Sequence, residues 1–220
     1  AELRQLTDYA MNRYYPHCES VADFLRAVVE RSAQMVAQWQ AVGFCHGVLN
    51  TDNMSILGLT LDYGPFQFMD GFDPHHICNH SDTQGRYAFA RQPQMVYWNL
   101  YALGQALLPL IGSEALTITA LDAFRPAFTE RFSACMAAKL GFAEVSTASA
   151  ASINALVDEL LPLLASERVD YTIFWRRLSQ ENGDAAVREL WINPTGITAF
   201  LIRYRELIGQ NPQAHSVELM

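Results

Sequence analysis

Residues 46–64, HGVLNTDNMSILGLTLDYG, contain the polar side chains around which the rest of the chain is organised. A carboxylate and a carboxamide stand side by side at Asp52 and Asn53, and a second carboxylate, Asp62, follows nine residues after the Asn. Oxygen ligands of this kind bind hard divalent cations, which in turn bind phosphate oxygens. The stretch therefore predicts a site for phosphoryl or nucleotidyl transfer.

The apolar run between these polar groups, residues 54–61, is short, partly β-branched and bounded by turn residues. We expect two short strands bent at Gly58, forming a hairpin that places Asn53 near Asp62. Periodicity alone does not exclude a helix here, but Gly58 and the flanking turn residues disfavour one. A short β-hairpin is thus the predicted carrier of the catalytic and metal-binding residues.

Most of the remaining chain has apolar residues three and four positions apart, as amphipathic helices do. A pair that resembles a capping box, Ser20 and Asp23, precedes a helix of roughly six turns that ends at Gly43. The long irregular stretch 64–95 has no sustained period, and such loops are usually functional. The other helical segments, separated by breaks that include Pro162, are 2–14, 96–109, 113–140, 149–164, 167–179, 183–189 and 195–208. Pro126 marks a kink or a helix start within 113–140. The predicted fold class is mainly α.

Length and composition indicate a globular protein. With 220 residues, half of them apolar and 17% charged, the chain can bury a full-sized core. A net charge of −8 argues against nucleic acid as an obligatory partner. No run approaches the roughly 18 apolar residues needed to cross a bilayer, so we expect no membrane partner. Cys18, Cys45, Cys78 and Cys135 form no CxxC pair, which fits a reduced, cytoplasmic compartment better than a disulfide scaffold.

The spacing around His46 resembles that of the catalytic loop in the protein-kinase-like fold. That loop has a His, an Asp two residues later, an Asn after four more residues, and a strand pair that ends in Asp-aromatic-Gly. His46 and Asn53 keep this spacing, and Asp62 begins the sequence Asp-Tyr-Gly. Val48 stands where the catalytic Asp is usual and cannot accept a proton, whereas Asp52 supplies a carboxylate directly before the Asn. Spacing alone leaves open a kinase fold with a relocated base or an inactive one.

Longer motifs resemble one family within that fold. The stretch 46–70 closely resembles the signature of the SelO (YdiU) proteins, which are pseudokinases that act as protein adenylyltransferases. The likeness continues through NHSDTQGRYAFARQP at 79–93, WNLYALGQAL at 98–107, MAAKLGF at 136–142 and DYTIFWRRL at 170–178. It covers most of the chain. The resemblance implies a kinase-like large lobe and the transfer of AMP from ATP to Ser, Thr or Tyr hydroxyls of proteins, with release of pyrophosphate.

The resemblance also implies roles for single residues. Asp52 matches the proton acceptor of the family, and Asn53 and Asp62 match its metal ligands, with Asp62 also bordering the nucleotide. The implied cofactor is Mg²⁺ or Mn²⁺ and the co-substrate is ATP, although some members are described as using UTP with manganese. The family binds its nucleotide in a flipped orientation, which places the α-phosphate at the acceptor. Physical chemistry agrees, since Asp52 can take the proton of an attacking hydroxyl and a cation on Asn53 and Asp62 neutralises phosphate charge.

By the same resemblance, residues 1–220 are the larger, helical lobe alone. The phosphate-binding lysine, its Glu partner, the nucleotide-contacting arginines and the Gly-rich strands of the family are expected before residue 1. The C-terminal segment, with its Cys or selenocysteine, is expected beyond Met220. In related proteins that residue forms a disulfide with the one that matches Cys78. We therefore expect the isolated chain to show no activity.

Three alternatives stay open. The chain can belong to an ordinary phosphotransferase of the kinase type, or it can be a lobe that binds a metal or a partner without turnover. His75, His76, Cys78 and His80 suggest zinc, but their spacing matches no common structural zinc pattern.

His46 is expected to fix the geometry of its loop by hydrogen bonding rather than to transfer a proton.

Overall fold

The computed structural model describes residues 1–142 and 147–210, with the backbone alone described at 147 and 148. Within these ranges the helices are α1 (Glu2–Tyr14), α2 (Val21–Val42), α3 (Gln92–Ile111), α4 (Glu114–Asp122), α5 (Phe124–Lys139), α6 (Thr147–Ser166), α7 (Tyr171–Leu178), α8 (Gly183–Arg188) and α9 (Thr195–Gly209). Two short strands, β1 (Phe44–Cys45) and β2 (Gln67–Phe68), pair antiparallel with Phe44 opposite Phe68. The mainly α fold class is confirmed.

Helix α2 begins and ends where the sequence predicts. Ser20 Oγ accepts a hydrogen bond from the Asp23 N–H at 3.1 Å, and the Asp23 carboxylate accepts from the Ser20 N–H at 3.1 Å, which completes the capping box. Gly43 ends the helix with φ +74°, a left-handed conformation that favours glycine. A Cβ at Gly43 would lie 2.9 Å from the Tyr171 ring, so the close approach also requires glycine. The chain therefore passes directly from α2 into β1.

Two prolines lie inside helices of the second half of the chain with different consequences. Pro126 lies in the first turn of α5, where a backbone N–H has no helical partner, so it marks a helix start as expected. The predicted break at Pro162 is wrong, because α6 continues to Ser166. Leu160 and Leu164 on either side of it are fully buried, and this packing outweighs the lost helical hydrogen bond.

The buried side chains form two clusters. The first packs α2 against α1, α3, α4 and α5, with Leu25 and Val36 at its centre. The second joins α6, α7, α8 and α9 around Leu160 and Phe200. Tyr171 connects the two halves, because its buried hydroxyl donates to Ala41 O at 2.9 Å, and this burial raises the pKa of the phenol. Across 1–142 and 147–210, no helix combines the length and apolarity that a membrane span requires.

The segment 54–61 is not the hairpin that the sequence predicts. It contains no strand, and its chain reverses in a turn in which the Gly58 N–H donates to Ser55 O at 3.2 Å. The paired strands, β1 and β2, lie on either side of the polar cluster. The small sheet therefore encloses the candidate residues instead of carrying them.

Contacts with neighbouring helices take the place of a partner strand for this segment. Trp39 Nε1, on α2, donates to Thr60 Oγ1 at 2.9 Å. The Tyr15 hydroxyl, just after α1, donates to Ile56 O. Because side chains of distant residues satisfy these polar groups, strand pairing is not needed to stabilise the segment.

Candidate functional site

The polar residues predicted from the sequence lie in the connection between β1 and β2, residues 46–66. The pairing of Cys45 with Gln67 brings the two ends of this connection together. Asp52 and Asn53 belong to a single 3-10 turn, Thr51–Asn53, and Asp62 lies near the other end. The structure therefore places all three candidate residues on one loop, here called the site loop, whose ends the two strands close.

Asp52 and Asn53 have side-chain oxygens that the fold does not use. Asn53 Nδ2 donates to Val48 O at 3.3 Å, which occupies the nitrogen of the carboxamide and leaves Oδ1 for another ligand. The Asp52 carboxylate is exposed, and it forms no hydrogen bond or ion pair with any residue that the structure describes. The Asp52 carboxylate and Asn53 Oδ1 are thus both available to a substrate or a cation.

Asp62 has a backbone conformation that is uncommon for residues other than glycine. Its φ is +57°, in the left-handed region that Asp and Asn tolerate better than most residues. The Gly64 N–H donates to Asp62 O at 2.8 Å and stabilises the tight turn that follows. The carboxylate itself is exposed and unpaired within the described part of the chain. Strained residues of this kind occur preferentially at functional sites, which supports a role for Asp62.

His46 connects the start of the site loop to its end. Its side chain is 1% exposed, and Nε2 lies 2.8 Å from the carbonyl oxygen of Leu61, the residue before Asp62. A carbonyl oxygen can only accept, so Nε2 carries the proton and donates it. The ring centroid also lies 5.4 Å from that of Trp39. The expectation that His46 fixes the geometry of the loop by hydrogen bonding is confirmed.

Two buried amides of α3, Gln92 and Asn99, hydrogen-bond the backbone on either side of His46. Gln92 Oε1 accepts from the His46 N–H at 2.8 Å, and Gln92 Nε2 donates to Phe44 O at 2.9 Å. Asn99 Nδ2 donates to Leu49 O at 3.0 Å. Neither residue is among those predicted from the sequence. A signal was present, because they lie seven positions apart on the same buried stripe of α3 as its apolar residues.

Replacing Gln92 by Ala should lower the free energy of unfolding by about 3 kcal/mol, because the change leaves two buried backbone groups unpaired at roughly 1–3 kcal/mol each. Gln94→Ala, on the exposed face of the same helix, is the matched control and should change it by less than about 0.5 kcal/mol. Urea denaturation followed by circular dichroism measures both values. Equal effects of the two substitutions would contradict the role assigned to Gln92.

Asn53 Oδ1 and the Asp62 carboxylate are oxygen donors of the kind that bind Mg²⁺ or Mn²⁺, and their role as metal ligands stays a prediction. The two residues are linked through the loop, since the Asn53 side chain binds Val48 O and the ring of His46, two residues earlier, binds Leu61 O. In the described ranges, no group of three or more His, Cys, Asp or Glu side chains is placed to hold a metal ion. A cation with only one or two protein ligands is typical of Mg²⁺ sites that are completed by substrate phosphates and water.

The histidine-rich segment 75–80 contacts the strand pair. His76 Nε2 lies 3.0 Å from Gln67 Oε1, and Cys78 Sγ lies 3.5 Å from Cys45 O. A hydrogen bond from the Cys78 thiol lowers the pKa of Cys45, and the same contact raises the pKa of Cys78. These interactions stabilise the closed ends of the site loop.

The sequence profile of one protein family, described as protein adenylyltransferase SelO, matches residues 1–212. The chain belongs to the SelO family. Its SelO-family relatives include proteins named protein nucleotidyltransferase YdiU, one from Variovorax paradoxus at 55% identity and one from Albidiferax ferrireducens at 52%. These alignments cover 100% of this chain but 46% and 47% of the two relatives. A YdiU protein from Ralstonia nicotianae is 45% identical over 96% of this chain and 45% of its own length. The chain thus spans about half the length of the curated relatives it matches.

Proposed function

We propose that this chain is the large, C-terminal lobe of a kinase-like protein nucleotidyltransferase that moves AMP from ATP to Ser, Thr or Tyr hydroxyls of proteins. The family match and the names of the relatives support nucleotidyl transfer to protein. The chain aligns with 46% of the Variovorax paradoxus relative. We therefore propose the activity for a protein of that relative's length. The four free cysteines agree with the cytoplasmic location that we propose for it.

One structural observation carries the proposal. Asp52, Asn53 and Asp62 lie on a single loop, and each presents a side-chain oxygen that no described residue binds. The backbone of that loop is fixed by buried groups, His46 and Gln92. A rigid backbone with unoccupied oxygen ligands is the arrangement that group transfer requires, because the reacting groups must be positioned before reaction.

Asp52 is the proposed general base. Its exposed carboxylate can accept a hydrogen bond from an incoming hydroxyl and take its proton as the oxygen attacks phosphorus. Val48 occupies the position at which kinases have this group and has no proton acceptor. The base is therefore displaced by four residues along the chain, to the position immediately before the Asn.

Asn53 and Asp62 are the proposed ligands of Mg²⁺ or Mn²⁺, and Asp62 also borders the nucleotide. When bound, such a cation supplies positive charge that stabilises the phosphate oxygens during transfer. Asn53 Nδ2 donates a hydrogen bond to Val48 O, which leaves Oδ1 as the atom of that side chain that can bind a cation. Asn53 and Asp62 can bind the cation in the same way when UTP is the co-substrate, because their proposed role concerns the phosphates and not the nucleobase.

The experiment that tests the proposal uses the full-length protein with ATP labelled separately at the α- and γ-phosphates. Nucleotidyl transfer attaches the α-label to an acceptor protein and releases the γ-label as pyrophosphate. Kinase-type phosphotransfer, the second candidate activity, attaches the γ-label instead. Incorporation of the γ-label would overturn the proposal.

The isolated chain of 220 residues should show no detectable transfer from ATP to protein. The proposed base and metal ligands belong to this chain, but the phosphate-binding lysine and arginines that we propose for the cleft are expected outside it. Label transfer by the isolated chain, compared with the full-length protein at equal concentration, is the measurement. Incorporation by the isolated chain at a comparable rate would show that these residues alone are sufficient. If the isolated chain binds Mn²⁺ or a partner protein but transfers no label, the result agrees with the alternative of a binding lobe without catalytic activity.

A further inference from the structure

Arg86, in the connection between β2 and α3, lies against two aromatic rings. The guanidinium carbon is 5.3 Å from the ring centroid of Trp98 on α3 and 5.7 Å from that of Tyr87. Attraction between a cation and the face of an aromatic ring stabilises such contacts. The guanidinium is therefore held in position although the side chain is exposed to solvent.

This guanidinium has no anionic partner among the residues that the structure describes. The side chain of Arg86 forms neither a hydrogen bond nor an ion pair with any of them. The acidic residue nearest in sequence, Asp82, is occupied, because its two carboxylate oxygens accept from the N–H groups of Arg86 and Tyr87 at 2.9 and 2.7 Å. The N–H groups of the guanidinium are thus available to a ligand.

Exposed aromatic rings extend this surface along α3. Tyr97, Trp98 and Tyr101 are 37%, 51% and 47% exposed. Tyr101 follows the other two by four and three positions, so the three rings are neighbours on the helix surface. With Arg86 and Tyr87 they form a surface that is here called the arginine–aromatic patch. Because Tyr, Trp and Arg are the residues enriched at protein interfaces, the composition of the patch fits a protein partner.

A hydrogen bond joins the arginine–aromatic patch to the site loop. The Tyr87 hydroxyl donates to Asn50 Oδ1 at 2.6 Å, and Asn50 lies two residues before Asp52, the proposed base. Two residues of chain span at most about 7 Å, a length that an extended peptide covers in about two or three residues. A peptide segment that contacts the patch can therefore also present a hydroxyl group to Asp52.

We propose that the arginine–aromatic patch binds the acceptor protein, with Arg86 pairing with the carboxylate of an Asp or Glu near the hydroxyl that receives AMP. This role rests on the proposed nucleotidyl transfer, since it concerns the substrate segment that Asp52 would deprotonate. A guanidinium binds a carboxylate through two parallel hydrogen bonds, and the adjacent rings contact the apolar part of the segment. Because the chain has a net charge of −8, an unpaired arginine beside the site loop supplies local attraction for an acidic segment.

The affinities of three peptides of equal length for the 220-residue chain test the proposal. Each peptide has a central Tyr with Glu, Gln or Lys on both sides, and a fluorescent label whose anisotropy reports binding in the absence of ATP. The Glu peptide should bind about fivefold more tightly than the Gln peptide, as expected for one exposed ion pair of good geometry, and the Lys peptide should bind most weakly. Equal affinities, a preference for the Lys peptide, or no binding of the Glu peptide up to about 1 mM would overturn the proposal.

Substitutions at Arg86 locate the contact. Arg86→Gln should bind the Glu and Gln peptides equally, and Arg86→Glu should prefer the Lys peptide. Both variants should stay folded, because the side chain is exposed and pairs with no described carboxylate. Arg131→Glu is the matched control, since Arg131 is an exposed arginine on α5 that also forms no ion pair with a described residue. It should keep the preference for the Glu peptide.

Two results with these variants would contradict the contact. If Arg86→Gln keeps the preference for the Glu peptide, the carboxylate binds elsewhere. If Arg131→Glu loses the preference as fully as Arg86→Glu does, only the net charge of the chain matters. Displacement of the Glu peptide by excess ATP would assign Arg86 to a nucleotide phosphate and would also overturn the proposal.

Peptide binding without nucleotide separates the role of the patch from the proposed transfer. If the full-length protein attaches the γ-label of ATP while the Glu peptide still binds through Arg86, the recognition surface stands and only the transferred group is reassigned. If the full-length protein attaches the α-label but the three peptides bind equally, nucleotidyl transfer stands and the role of Arg86 is wrong.

Discussion

Replacing Asp52 by Ala in the full-length protein should lower kcat for AMP transfer by about 10²–10⁴-fold, the usual contribution of a general base. The carboxylate has no partner among the residues described, so the fold does not depend on it. The melting temperature should therefore stay the same, and the KM for ATP should change little because Asp52 is not a proposed metal ligand. Steady-state kinetics with α-labelled ATP and a thermal melt of the same preparation measure these quantities.

A matched control distinguishes a catalytic effect from a general effect of lost charge. Asp70→Ala also removes an exposed carboxylate that follows the site loop, just after β2. Its side chain has no assigned role, so transfer by this variant should stay within about twofold of the unmodified protein. If Asp52→Ala retains activity at the level of Asp70→Ala, Asp52 is not the base.

Elements whose ends depend on local interactions could be predicted from the sequence. Helix α2 is the clearest case, because its capping box lies within four residues and its last residue precedes a glycine with positive φ. The candidate base and metal ligands could be proposed for a related reason, and their roles stay a prediction. Asp52, Asn53 and Asp62 are chemically distinctive, and their spacing in the chain is itself informative.

Elements that depend on contacts with distant residues could not be predicted from the sequence. The hairpin expected at 54–61 fails because Trp39 and Tyr15, from the α1–α2 region, satisfy polar groups of that segment. A short apolar run has no intrinsic preference strong enough to resist such contacts. The break expected at Pro162 fails for the same reason, since burial of the surrounding leucines stabilises α6 through the proline.

The residues that hold the site loop in place also could not be predicted from the sequence around that loop. Gln92 lies 46 residues after His46 in sequence, yet it hydrogen-bonds the backbone of that residue. Asn99 reaches Leu49 across 50 residues. A polar residue on the buried stripe of a helix indicates that a partner exists, but only the packing of α3 against the site loop shows which one. The candidate residues can thus be recognised from the local sequence, whereas the hydrogen bonds that hold their loop depend on tertiary structure.

Replacing Asp62 by Asn should lower AMP transfer by at least about 10²-fold, because a cation that stabilises transferring phosphate contributes several kcal/mol. Asn has the same shape and also tolerates the left-handed backbone, whose φ is +57° at this position. The free energy of unfolding should therefore stay within about 0.5 kcal/mol of its original value. The concentration of Mn²⁺ that gives half-maximal activity should rise, which a loss unrelated to metal binding would not produce.

Two further substitutions at Asp62 separate its chemical role from its backbone conformation. Asp62→Gly removes the carboxylate and fits a positive φ, so stability should be nearly unchanged while transfer is lost. Asp62→Val removes the carboxylate and is strained at that φ, so it should also lose about 1–2 kcal/mol of stability. Arg168, whose φ is +48°, is the matched control, and Arg168→Gly should leave transfer unaffected. If activity instead falls only in Asp62→Val, the backbone turn matters and the carboxylate does not, and the assignment of Asp62 as a metal ligand is wrong.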